Sequence, residues 1–181
     1  MSVMLIGLAL AATKTIPPAK PAMPSTLESR LLEAHNVERR RVGTKPLLWS
    51  ARLAADAKIW ADHLARTNSF EHAPEKAGAA PQGENLWMGT VRAYSPEDMV
   101  GGWIEEKAQF KLGLFPKVST SGNWQDVGHY TQLIWHNTTE IGCALAANRN
   151  DEFLVCRYSP AGNWMGQSPF GALSAEKRPK R

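Results

Sequence analysis

Apolar residues recur along this chain with two periods, and the changes from one to the other mark out its elements. Leu27, Leu31, Ala34 and Glu38 keep helical spacing as far as Gly43, and Ser25-Thr26-Leu27-Glu28 reads as a capping box at the start. A second helix is expected after Ser50, with Leu53, Ala54, Ala57, Trp60, Ala61 and Leu64 on its apolar side. Ser95, Pro96, Glu97 and Asp98 open a third: Ser at the N-cap, Pro at the first helical position, acids in the first turn. A fourth is expected over about 126–135. The period then falls to two. Residues 140–147 and 152–160 are strand-like runs around Asn148-Arg149-Asn150-Asp151. If those four residues form the turn, Ile141 faces Tyr158, Cys143 faces Cys156, Leu145 faces Leu154 and Ala147 faces Glu152. That register collects Ile141, Cys143, Leu145, Leu154, Cys156 and Tyr158 on one face, with Phe153 and Val155 on the other. Further strands are expected at 46–49 and 86–91, and loops at 73–83 and 112–125. A hairpin apolar on both faces needs cover on both. The expected fold is therefore α/β, a three-layer α-β-α sandwich around a small, mainly antiparallel sheet.

The ends read differently. Residues 2–12 form an uncharged, mostly apolar run, too short to span a bilayer and matching the core of a secretory signal, with Ala9-Leu10-Ala11 as the cleavage site. No Lys or Arg precedes the run, and a fraying apolar tail is the plainer alternative. Pro17, Pro18, Pro21 and Pro24 make 13–25 an extended linker. The expected organisation is a signal at 1–12, the linker at 13–25, one folded domain at 26–171 and a basic tail at 172–181. The 181 residues suffice for one domain, and 7 Trp promise it a bulky core. The net charge is +4, but the last six residues carry +3 of it. With so little excess charge elsewhere and no nucleic-acid motif, no nucleic-acid partner is expected.

The facing register allows Cys143 and Cys156 to close a disulfide, whereas two buried free thiols are the other arrangement open to them. Register and export signal together favour the bridge and an oxidising compartment, extracellular or periplasmic. Met99, Trp103, Glu106 and Phe110 form one helical stripe, so Glu106 lies on the face its neighbours bury while Glu105 points elsewhere. A carboxylate so placed must find donors, a cation or a proton, unless it reaches water from the stripe's edge. Candidate partners are Glu84 in Gly83-Glu84-Asn85-Leu86, His72 in Phe70-Glu71-His72-Ala73 and His129 in Gly128-His129-Tyr130-Thr131-Gln132. There is no HExxH or CxxC pair, and spacing alone would not group the four.

Residues 128–138, GHYTQLIWHNT, resemble the first signature of the CAP superfamily of cysteine-rich secretory proteins, antigen 5 and pathogenesis-related protein 1 (the SCP-like extracellular domain). Residues 153–164, FLVCRYSPAGNW, resemble the second. Gly83-Glu84-Asn85-Leu86, Trp103-Ile104-Glu105-Glu106 and Ala34-His35-Asn36 are similar to three further blocks in the right order. The resemblance implies an α-β-α sandwich and a central cleft holding His72, Glu84, Glu106 and His129. In several such proteins the two histidines hold zinc or another divalent cation, which makes His72 and His129 candidate ligands and the carboxylates their supports. The chain departs from its plant and animal relatives in having two cysteines and no Cys-rich C-terminal domain, so ion-channel activity is not expected.

Three functions compete. In the first, the chain is a secreted, monomeric, non-enzymatic binder of a divalent cation and of a lipid or sterol, with the apolar stretch 110–124 as groove lining, although an ordinary loop packed on the core is the other reading of that stretch. In the second, Glu84 or Glu106 with a histidine activates water, with or without metal, in a peptidase-like hydrolase. In the third, the tetrad is only a structural polar network.

Overall fold

The computed structural model describes residues 26–74, 78 and 80–171. The expected signal, the linker and the basic tail lie outside them. The first helix, α1 (Leu27–Val42), is capped one residue later than the capping-box reading placed it. Thr26 is the N-cap, and its partner at the third helical position is Ser29 rather than Glu28. Gly43 ends the helix at φ +80°, donating its N–H to the carbonyls of Arg39 and Arg40, a left-handed stop that suits glycine. Strand β1 (Leu48–Trp49) leads into α2 (Ala51–Thr67), where Ser50 is the N-cap by backbone geometry but makes no capping bond with its side chain. β2 (Gly83–Thr90) starts three residues earlier than expected. α3 (Pro96–Glu105) begins with Ser95 and Asp98 in a reciprocal capping box. The expected fourth helix divides into a 3-10 turn at Trp124–Val127 and a short helix, α4 (Gly128–Leu133).

Strands β3 (Glu140–Ala147) and β4 (Asp151–Ser159) pair in the register read from the sequence, with Ile141 opposite Tyr158, Cys143 opposite Cys156 and Leu145 opposite Leu154. The turn works without glycine because the Asn148 side-chain oxygen accepts from the backbone N–H groups of Asn150 and Asp151. The strand order is β1-β3-β4-β2, with β1 parallel to β3 and the other pairings antiparallel. Ile141, Cys143, Leu154, Cys156 and Tyr158 pack with Leu31, Met99, Trp103 and Tyr130 from α1, α3 and α4. Phe153 and Val155 pack on the opposite face with Ala57, Ala61 and Leu64 of α2. The sandwich is thus α1, α3 and α4, then sheet, then α2. Cys143 and Cys156 are joined as a disulfide.

Two buried groups tie the layers together. Arg39 is fully buried and donates to the carbonyls of Lys45, Leu133, Trp135 and Thr138 at 2.7–3.0 Å, fastening α1 to the segment after α4. Burial pushes its pKa down to about 10, which leaves it cationic at neutral pH. His35 is also fully buried. Its Nδ1–H donates to the Leu31 carbonyl at 2.7 Å, so its Nε2 accepts from the Tyr158 hydroxyl at 2.8 Å.

Candidate functional site

The stripe through Met99, Trp103 and Glu106 ends at the carboxylate, because α3 stops at Glu105 and Glu106 starts a single 3-10 turn. Glu105 is exposed, whereas the Glu106 side chain is 19% exposed. Glu106 is turned to the start of α4, where its Oε1 meets His129 Nδ1 at 2.5 Å and its Oε2 accepts from the Tyr130 N–H at 3.0 Å. One carboxylate therefore satisfies a free amide of the first turn and orients the histidine beside it. The His129 ring lies parallel to the Trp103 indole with centroids 6.0 Å apart, and Trp103 is itself held by its N–H to the Leu86 carbonyl at 3.0 Å.

The second pair is built the same way from different elements. Glu84, near the start of β2, is 8% exposed at its side chain. Its Oε1 meets His72 Nδ1 at 2.6 Å and accepts from the Ala73 N–H at 3.0 Å, while Oε2 pairs with Arg157 Nη2 at 2.8 Å. Arg157 stands opposite Glu84 in the β2–β4 register, so a strand pairing delivers the counter-charge. Gln82 receives a long 3.4 Å bond from Arg157 and donates to Asp56 of α2 at 2.8 Å. The loop carrying His72 is fastened by Trp60, whose indole N–H donates to the Glu71 carbonyl at 2.9 Å.

Alternation along β2 sends Glu84 and Asn85 to opposite faces of this edge strand. Asn85 Nδ2 donates to the His129 carbonyl at 3.1 Å and to the Tyr158 hydroxyl at 3.2 Å. The anchors of the two pairs are thus consecutive residues, and His129 is connected through Asn85 and Tyr158 to buried His35.

His72, Glu84, Glu106 and His129 therefore stand as two His–Glu pairs, each with a sheltered carboxylate and a more open imidazole. The imidazoles are 64% exposed at His72 and 33% at His129. Tyr130 is buried, with its hydroxyl donated to Glu38 at 3.1 Å. With each Nδ1–H given to a carboxylate, the neutral ring keeps its Nε2 lone pair, and neither Nε2 has a partner among the described residues. Also among the described residues, no group of three or more His, Cys, Asp or Glu side chains is placed to hold an ion. The donors suit a cation, but they do not form a closed structural zinc site.

Sequence reasoning did not assign Arg157, Trp60 or Asn85 a part in this site. Arg157 had one legible signal, a charge in register with Phe153 and Val155 on a face that α2 covers. Within the stretch 110–124, Phe115 and Val118 are buried in a small core with Val127 and Trp135, while Leu112, Leu114 and Trp124 are exposed.

A family model described as the cysteine-rich secretory protein family matches residues 32–158. The chain is 34% identical over 140 residues to pathogenesis-related protein 1A of Nicotiana tabacum, covering 77% of this chain and 78% of that protein. Among solved structures it is similar to NaASP2 with Zn2+, with a TM-score of 0.64 and 26% identity over 78% of this chain and 83% of that one. It is also similar in fold to Na-ASP-1, with a TM-score of 0.67 and 21% identity over 91% of this chain, although it spans only 46% of that longer one.

Proposed function

This chain belongs to the cysteine-rich secretory protein (CAP) family, and on that premise we propose that it is an extracellular binding protein whose histidines hold a divalent cation such as zinc. The observation that supports this reading is the repeated pairing of a sheltered carboxylate with a more open imidazole, His72 on Glu84 at 2.6 Å and His129 on Glu106 at 2.5 Å. A carboxylate that takes the Nδ1 proton fixes ring orientation and tautomer and makes Nε2 the better ligand. His72 and His129 would hold the ion, and solvent would complete its shell. Such an ion supplies a positive, Lewis-acidic point at the surface. The chain's own groups hold the two rings still: Ala73, Arg157 and Trp60 on one side, Tyr130 and Trp103 on the other. A relative of similar architecture has been solved with Zn2+, which supports the choice of ion. Export fits the disulfide, because such bonds persist in oxidising compartments. The same bond occupies both thiols, so neither cysteine serves as a nucleophile.

The test is titration calorimetry and native mass spectrometry of the full chain with zinc chloride. One ion per chain and a zinc-dependent rise in melting temperature are expected, and both should be lost in His72→Ala/His129→Ala, which removes both protein ligands. A melting temperature indifferent to zinc, or a zinc response that survives the double substitution, would leave the pairs as structural supports only.

A further inference from the structure

Two loops meet at Phe115, and both leave large apolar side chains in solvent. The first loop is a hairpin closed by the Phe110–Ser119 bridge and by Lys111 N–H to the Val118 carbonyl at 2.8 Å. The second is held against it by Phe115 N–H to the Gln167 carbonyl and Gly166 N–H to the Phe115 carbonyl, both 2.8 Å. Phe115 is buried beneath them, while Leu112 (51%), Leu114 (50%), Trp164 (47%) and Met165 (66%) stand exposed. Exposed large apolar side chains gathered on adjoining loops mark an interaction surface.

We propose that this face docks on the surface of an anionic lipid bilayer. The charge pattern selects that occupant. Lys111 and Lys117 flank the leucines and are exposed, and the sequence has no acidic residue from Lys107 to Gln125 or from Pro160 to Gly171. Lysines beside an apolar tip lay their methylene stems along it and keep their ammonium groups among phosphates. The Trp164 indole N–H already donates to the Ala161 carbonyl at 2.9 Å, so its ring can leave water without stranding a donor. Loop backbone cannot enter hydrocarbon unpaired, so the contact is interfacial, at the depth of the side chains. No helix among the described residues is long and apolar enough to cross a membrane. This proposal does not rest on the cation reading.

The experiment is co-sedimentation of the full chain with vesicles of phosphatidylcholine, alone or mixed with phosphatidylserine, at low and high salt. Binding is expected to the mixed vesicles and to weaken with salt. Leu112→Ser/Leu114→Ser should lower the partition coefficient about tenfold or more, and Lys111→Gln/Lys117→Gln about fivefold per lysine. Both variants replace exposed side chains, and an unchanged melting temperature verifies the fold. A third variant, with Lys177, Arg178, Lys180 and Arg181 changed to Gln, should keep its dependence on the loops. The proposal fails if the parent chain binds neither vesicle. It fails equally if the tail variant alone abolishes binding while the loop variants bind as the parent does. A fall in solution mass for the leucine variant would instead give the face to a second copy of the chain.

Discussion

Trp60 and Glu71 are joined by a hydrogen bond of 2.9 Å from indole N–H to backbone carbonyl, and the residue after Glu71 is His72. A side chain that the helical pattern assigns to the apolar face of α2 thus governs where a candidate ligand stands. Trp60→Phe should keep most of the packing and lose the bond. Zinc affinity is expected to fall about tenfold, as when an outer support of a metal ligand is removed. Global stability should fall by only about 1 kcal/mol. Calorimetry beside urea denaturation separates the two effects, and equal losses in both would make Trp60 a packing residue alone.

His35 should make the fold sensitive to acid before the carboxylates do. Burial, with a smaller contribution from the charge of Arg39, pushes its pKa from 6.5 down to about 4, against the opposing bond to the Leu31 carbonyl. Between those values the unfolded chain binds the proton and the folded chain does not, so stability falls as pH drops from about 6.5 to about 4. The loss approaches about 3 kcal/mol at the lower end. His35→Gln should flatten the dependence of urea midpoint on pH in that window, whatever it does to stability at pH 7.

Gly142 marks the closest approach of sheet and helix. A Cβ there would lie 2.1 Å from the Ala54 nitrogen, 2.5 Å from the Ser50 carbonyl oxygen and 2.6 Å from the Leu53 carbonyl carbon, all main-chain atoms at the start of α2. Backbone cannot swing aside as a side chain can. Gly142→Ala should therefore cost about 3 kcal/mol, at the upper end for overpacking. The same change at Gly101, where nothing lies within 4 Å, should raise stability slightly through helix propensity. Thermal denaturation of the two variants checks both signs.

The Cys143–Cys156 bridge closes a short stretch of chain, with a sequence separation of 13. Cys143→Ala/Cys156→Ala is expected to lower stability by about 2–4 kcal/mol, mostly by freeing the unfolded chain. Zinc affinity should not change, because neither cysteine is among the hydrogen-bond or ion-pair partners of the two His–Glu pairs. A large loss of zinc binding at a temperature where the variant stays folded would contradict that separation.

The hairpin was legible from the chain because its information is local. Period-2 alternation on either side of a four-residue turn admits one register that buries Ile141, Leu154 and Tyr158 together, and that register sets Cys143 against Cys156. The spacing of Met99, Trp103 and Glu106 likewise singled out Glu106 over Glu105, since side chains at helical spacing share a face, and Glu106 keeps that face just past the end of α3. The motifs brought His72, Glu84 and His129 into consideration, but their division into two pairs depends on contacts between segments far apart in sequence. Arg157 reaches Glu84 because β2 pairs with β4, Trp60 reaches Glu71 because the chain folds back after α2, and Asn85 reaches His129 across the face opposite Glu84. No periodicity encodes such distances. They follow from how the layers pack, and that is why the residue types were readable in the sequence while their partners were decided only by the tertiary structure.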